Sequence, residues 1–180
     1  NRTLKIHALA ANEEYLNSTV NKAYAPGTQA SYIITDVLAN IGLEVGYFEL
    51  KNDITYISGK VASGSLRNVI RDIVLNDCNS KIYINNGKII IRPDGTGENI
   101  GFLLKSDTGL IQSPSKIDKT STDGIRTADY EVKTLLNHRV TTDSIFQIQS
   151  QTANGLFRVN KGTHTKTDSE FTTECEVVAV

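Results

Sequence analysis

The sequence predicts an α+β chain: a small two-helix α/β module followed by an antiparallel β barrel or sandwich domain. Three observations predict it. Helical apolar spacing occurs twice, between residues 28 and 76. An isoleucine-rich hairpin follows at 81–92, and beyond residue 97 the helical period gives way to strand-length alternation.

Taken in order, Thr3 to Leu9 alternates Leu4, Ile6 and Ala8 against Thr3, Lys5 and His7, and Glu13 to Ala25 reads as a second, less regular strand. Ala25-Pro26-Gly27 breaks the pattern. Thr28 then reads as an N-cap, Ala30, Ile33, Ile34, Val37, Leu38 and Ile41 keep to one helix face, and Gly42 supplies the stop. Strands are expected near Leu43–Phe48 and Thr55–Val61, and a second amphipathic helix over Ser65–Asn76, carrying Leu66, Val69, Ile70, Ile73 and Val74. Asn86-Gly87 is the pair favoured by a two-residue type I′ turn. That turn sets Asn85 opposite Lys88, so Ile82, Ile84, Ile89 and Ile91 share one face while Lys81, Asn85, Lys88 and Arg92 share the other.

Pro93-Asp94-Gly95-Thr96-Gly97 is loop chemistry between two domains. Gln112–Thr127, polar and interrupted by Pro114 and Gly124, reads as a long loop, mobile or partner-contacting. Four strands are expected at 128–136, 144–150, 156–163 and 171–180. The domains are therefore 25–97, the small module, and 98–180, the β domain, completed by strands from 1–24 that need partners there.

The composition is that of an ordinary folded protein, with 180 residues, 39% hydrophobic and 22% charged, and a formal charge of -1. No apolar run approaches the ~20 residues that span a bilayer, and Asn1-Arg2-Thr3-Leu4 lacks the apolar core of a signal peptide. The absence of any Met implies a piece excised from something longer. Residues 126–180 hold six Lys and Arg against seven Asp and Glu without aromatic interleaving, which gives no footprint for nucleic acid.

Chemistry is sparse. His7, His138 and His164 are scattered without metal-ligand spacing, and Cys78 and Cys175 form no CxxC pair. Cys175 shares its parity with Phe171, Thr173 and Val177, which favours the inward face of a strand. Asp94–Glu98 lacks the lysine of a phosphate loop and the ligand alternation of a calcium loop. Glu13-Glu14 and Glu174/Glu176 read as solvated strand faces rather than the paired carboxylates of a glycosidase. No catalytic, cofactor-binding or metal site is assigned, and the chain is expected not to be an enzyme.

Four pieces of the C-terminal half occur in a telling order: Thr108-Gly109-Leu110-Ile111-Gln112-Ser113-Pro114, then Leu135-Leu136-Asn137, then Asn154-Gly155-Leu156-Phe157-Arg158-Val159 with His164, then the Thr/Glu-alternating last strand. Together they resemble the tail hub, or baseplate hub, proteins of long-tailed bacteriophages. Ile6-His7-Ala8, the Gly-Thr before the first helix, Ser58-Gly59 and the isoleucine hairpin fit the same family. His138 departs from it, since proline commonly follows Leu-Leu-Asn there, and a less rigid corner is expected. Arg158 and His164 read as capping carbonyls or as facing a neighbour.

The resemblance implies assembly rather than catalysis: a tail-tube-like barrel domain in a ring, usually trimeric, that joins the tail tube to the spike. It further implies a virion protein, assembled in the cytoplasm of the bacterial host, whose upstream tube-forming part is missing. Its partners would be tube, spike and copies of itself, without nucleic acid or membrane. Two alternatives compete. Helix, strand, helix and hairpin in 28–92 also resemble the N-terminal domains of outer-membrane secretins and TonB-dependent receptors. A cell-wall hydrolase domain would need paired acids or metal ligands.

Overall fold

The structure, a computed structural model, describes residues 17–39, 44–120 and 126–180. The chain divides into two compact units, Asn1–Gly95 and Thr96–Val180, each with its own apolar core. The fold is α+β.

In the first unit β1 (Thr19–Tyr24) pairs antiparallel with β5 (Lys60–Ser65), and β2 (Thr28–Gln29) with β4 (Thr55–Tyr56). Helix α1 (Ala30–Ala39) buries Ala30, Ile33, Ile34, Val37 and Leu38, the face that the apolar spacing predicts. Its start is built differently. Thr28 belongs to β2, where its hydroxyl donates to the Ala25 carbonyl (2.7 Å), and Asp53 caps the helix by accepting the Ser31 N–H (2.9 Å) and hydroxyl (2.6 Å). The β2–β4 pairing is what delivers Asp53 to that end. Ile41 and Gly42 lie outside the described residues.

Helix α2 (Leu66–Arg71) runs into a π-helical turn, Asp72–Asp77, closed by the Cys78 N–H on the Ile73 carbonyl (3.0 Å). One wide turn keeps Ile73, Val74 and Cys78 buried together. Strands β3 (Val45–Phe48), β6 (Ser80–Asn85) and β7 (Lys88–Pro93) make a sheet in the order β3-β7-β6. The hairpin has the predicted register, Asn85 with Lys88 and Ile82 with Ile91, and Asn86 and Gly87 both take positive φ (49° and 75°), as a type I′ turn requires.

Ile89 and Ile91 are fully buried in the helix-lined core, while Ile82 and Ile84 pack at its rim. The other face is less solvated than expected. Lys88 is exposed and pairs with Glu44 (2.6 Å), but Lys81 is half-buried and Arg92 buried, because β3 lies parallel to β7 and sets the Tyr47 ring against Arg92.

In the second unit, strands β8 (Glu98–Leu104), β9 (Ser115–Thr120), β10 (Arg126–Leu135), β11 (Ser144–Gln149), β12 (Asn154–Lys166) and β13 (Phe171–Ala179) form one sheet, ordered β8-β11-β12-β13-β10-β9. Only β8 and β11 pair in parallel. The four expected strands are β10 to β13. Their core gathers Leu104, Val132, Phe146, Ile148, Phe157, Val159, Cys175 and Val177, with Tyr130 edge-on to Phe157 at 5.6 Å between centroids.

Three expectations are corrected. Residues 112–127 are not simply a loop: β9 forms within them and pairs with β10 through two register shifts. Its sequence is polar because it is an edge strand, so no apolar period marks it. Phe171, at the first residue of β13, is exposed, while Thr173, Cys175 and Val177 point inward as their parity predicts. Of the strands in 1–24, β1 pairs with β5 in the first unit rather than completing the sheet of the second; Tyr24 and Val20 pack on the helical core, and the Leu66 N–H donates to the Ser18 carbonyl (2.9 Å). The strand read at Thr3–Leu9 lies outside the described residues.

Candidate functional site

The ends of β10 and β13 assemble one corner from segments far apart in sequence. The Thr108 hydroxyl donates to the Leu103 carbonyl (2.6 Å) and accepts the Lys105 N–H (2.9 Å), and Gly109 turns the chain at φ +109°, a region that L side chains avoid. Residues 109–111 then lie along β10, with the Leu135 N–H on the Gly109 carbonyl (2.8 Å) and the Ile111 N–H on the Lys133 carbonyl (3.1 Å). The Leu136 N–H donates to the Phe171 carbonyl (3.0 Å), which ties in the start of β13.

Beneath this, the buried Thr173 hydroxyl accepts the Asn137 N–H (3.0 Å) and lies 2.8 Å from His164 Nδ1. Asn137 Oδ1 accepts the Arg139 N–H (3.0 Å), and the Arg139 guanidinium donates to the Ile100 carbonyl (3.0 Å). This side-chain turn orders the corner.

The outer surface of the corner is apolar: Ile111 is 46% exposed, Leu135 59%, Leu136 39% and Phe171 49%, with the Lys166 ammonium 5.7 Å from the Phe171 ring centre. Three of the four sequence pieces, 108–111, 135–137 and the last strand, meet here together with His164. The remaining piece, around Arg158, serves the interior. Arg158 donates to Asp143 Oδ1 at 2.8 Å, the Asp143 side chain being 2% exposed, so it forms a buried ion pair rather than capping a carbonyl. Asp143 sits at φ +65°, with its N–H on the Val159 carbonyl (2.8 Å) and its own carbonyl accepting the Glu98 N–H (2.9 Å). Gly97 packs so closely on the Asp143 carbonyl that a Cβ would collide with it.

Other titratable groups are engaged structurally. In the first unit two Tyr-Asp-Lys clusters recur. Asp36 takes Lys22 and the Tyr24 hydroxyl, both at 2.6 Å; Asp77 takes Lys60 (3.0 Å) and the Tyr56 hydroxyl. Hydrogen bonds from Lys22 and then Tyr24 hold Asp36 below the usual carboxylate range. Burial pushes Asp77 up, but the bonds from Tyr56 and Lys60 outweigh it and leave Asp77 low. Tyr24 and Tyr56 are both raised, by burial first and then by their aspartates.

On β13, Glu174 pairs with Lys133 (2.6 Å) and Glu176 with Lys119 (2.7 Å). Cys78 and Cys175 are buried free thiols, and burial pushes Cys175 up to about 12. His138 is exposed, and His7, Glu13 and Glu14 lie outside the described residues. Among the described residues no three His, Cys, Asp or Glu side chains group as metal ligands. Sequence reasoning missed Asp143 and Asp53, whose only local signals are the turn-forming runs Thr141-Thr142-Asp143-Ser144 and Lys51-Asn52-Asp53.

The first unit is thus α+β and the second a six-stranded sheet. The structure superposes on the E. coli c3393 protein, a component of the type VI secretion system that exhibits structural similarity to the T4 bacteriophage tail proteins gp27 and gp5. The TM-score is 0.62 at 13% identity, and the match covers 92% of this chain and 52% of that protein, so the chain spans about half its length. No family model and no curated protein matches the sequence. The likeness to tail hub proteins read from residues 108–180 is thus a likeness of fold.

Proposed function

We propose that this chain is a structural component of a phage tail or a tail-like secretion machine, acting as the hub that joins tube to spike. The observation that carries the reading is a shared fold that runs through both units. The exposed apolar side chains Ile111, Leu135, Leu136 and Phe171 at this corner support it, because exposed apolar side chains suit a surface that a neighbouring subunit covers.

Copies of this chain, in a ring usually of three, and the tube and spike proteins are the partners this reading assigns. The protein then acts by assembly and not by catalysis, a reading supported by the lysine pairing of Glu174 and Glu176. It would reside in the virion or the assembled machine and be built in the bacterial cytoplasm; among the described residues no helix is long and apolar enough to cross a membrane. The secretin-like reading of 28–92 is less favoured, since it accounts for the first unit alone.

Disrupting the gene in its native genome and imaging the particles by electron microscopy tests the proposal. Tubes without a spike junction, restored by the gene supplied in trans, are expected. Complete, functional particles in the disrupted strain would overturn it.

A further inference from the structure

Among the described residues of the first unit, an open cavity of about 720 Å³ lies between the β1–β2 corner and the start of α1, walled by Lys22, Tyr24, Gly27, Gln29, Tyr32 and Thr55. That volume falls in the range of small-molecule sites, roughly 300–1,000 Å³. The corner itself makes the room. Gly27 turns the chain between β1 and β2 at φ +85°, and nothing lies within 4 Å of the side that a Cβ would take.

The two tyrosines differ in role. Tyr24 is buried, and its hydroxyl is held by Asp36 at 2.6 Å. Tyr32, in the first turn of α1, stands edge-on to that fixed ring at 6.4 Å between centroids and stays 61% exposed, so most of its surface is left to the cavity and to solvent. Polar groups without an internal role accompany it. The Gln29 amide and the hydroxyls of Thr55 and Tyr32 bond to no other residue, and Gln29 and Thr55 are cross-strand partners whose side chains share one side of the β2–β4 pair. Charge is balanced: Lys22, the one charged residue in the lining, closes on Asp36 at 2.6 Å.

A wall whose single charge is already paired gives an ion little to hold. A wholly apolar ligand would strip water from Gln29, Thr55 and Tyr32 and return no hydrogen bond. The lining suits an uncharged ring with one apolar face to lie on the tyrosine and hydroxyl groups at its rim to reach the amide and the threonine. A pyranose has both features. We propose that this cavity binds a neutral saccharide, stacked on Tyr32 and hydrogen-bonded to Gln29 and Thr55. The site is independent of the hub reading, for it stands on the first unit's own geometry.

The test titrates the full chain, labelled with nitrogen-15, with maltose, N-acetylglucosamine and diacetylchitobiose, and with sorbitol as a hydroxyl-rich control that has no ring. Solution NMR follows the Gln29 side-chain amide and the backbone amides of the cavity. The expected result is a saturable shift of these signals with at least one of the saccharides and none with sorbitol. Tyr32→Ala should weaken the apparent affinity about tenfold, while Tyr32→Phe, which keeps the ring, should retain most of it. If Tyr32→Ala does not fold, Gln29→Ala, read through the Thr55 and Tyr32 amides, takes its place. Cavity signals that no saccharide moves beyond sorbitol, or an undiminished response in the folded variant, overturn the proposal.

Discussion

The Arg158–Asp143 pair gives the sharpest test of how the second unit is held together. The two charges meet at 2.8 Å, with the arginine side chain 13% and the aspartate side chain 2% exposed. With charge centres about 4 Å apart and an effective dielectric near ~20, their attraction is about 4 kcal/mol. Arg158→Met removes the cation and leaves the carboxylate buried, and breaking one side of such a pair costs about 3–5 kcal/mol. Asp143→Asn keeps the shape and tolerates the left-handed backbone at φ +65°, so it isolates the charge.

In the double variant neither charge remains, and it should be more stable than Arg158→Met alone. Urea unfolding of the full chain, followed by fluorescence of an ANS-free tyrosine signal and by far-UV circular dichroism, gives all four corners of the cycle. A loss below ~1 kcal/mol for Arg158→Met, or a double variant no more stable than that single one, would show that the pair is solvated and the argument from burial mistaken.

Three further outcomes are expected. Ile89→Ala, at a fully buried position, should cost about 2–5 kcal/mol and Ile84→Ala, at the rim, under ~2 kcal/mol in the same assay, and equal losses would refute the packing described for the hairpin. With its thiol pushed up to about 12, Cys175 should have about one molecule in ten thousand ionised at pH 8, so alkylation followed by mass spectrometry should modify it only on unfolding; rapid labelling of the native protein would refute its burial. Because Asp36 and Asp77 are depressed, their contribution is present above the ordinary carboxylate pKa and lost as pH falls below ~4, and because Tyr24 and Tyr56 are raised, theirs is present below ~10 and lost above it. The urea midpoint should therefore fall at both extremes, and an acid limb unchanged in an Asp36→Asn, Asp77→Asn variant would contradict this.

What could be read from sequence is what neighbouring residues determine. The 81–92 hairpin needs only the Asn86-Gly87 turn and its flanking alternation, and α1 only its repeating apolar spacing. Asp53 reaches its helix end across 22 positions and Asp143 meets Arg158 across 15, so each looks in sequence like an ordinary surface charge. The existence of β1 was legible, but its partner was not, because alternation marks a strand without saying which edge it joins. β9 was hidden because an edge strand facing solvent has no apolar period to show. The corner lies between these cases: its pieces were visible in order, while their meeting depends on the β10–β13 pairing, which sets Leu135 beside Thr172.

That pairing also bears on how a hub built from this chain would meet its neighbours. Open sheet edges invite any passing strand, and both edges of the six-stranded sheet are blunted against it. On β9, Lys116, Asp118 and Lys119 face outward in a strand that breaks register twice, with Asp118 itself at φ +45°. On β8 the parallel pairing to β11 slips between Asn99 and Leu103, where Gly101 takes φ +62°. Neither edge offers a straight ladder of free backbone groups. The exposed apolar side chains Leu135, Leu136 and Phe171 stand instead at the strand ends, over hydrogen bonds that fix Asn137, His164 and Thr173 beneath them. Contacts made there depend on side-chain shape, which only a matching surface satisfies, whereas strand addition would accept many sequences. On the hub reading proposed above, a ring with a defined number of subunits would need the first kind of contact, which charge on the edges and apolar surface at the corner would favour.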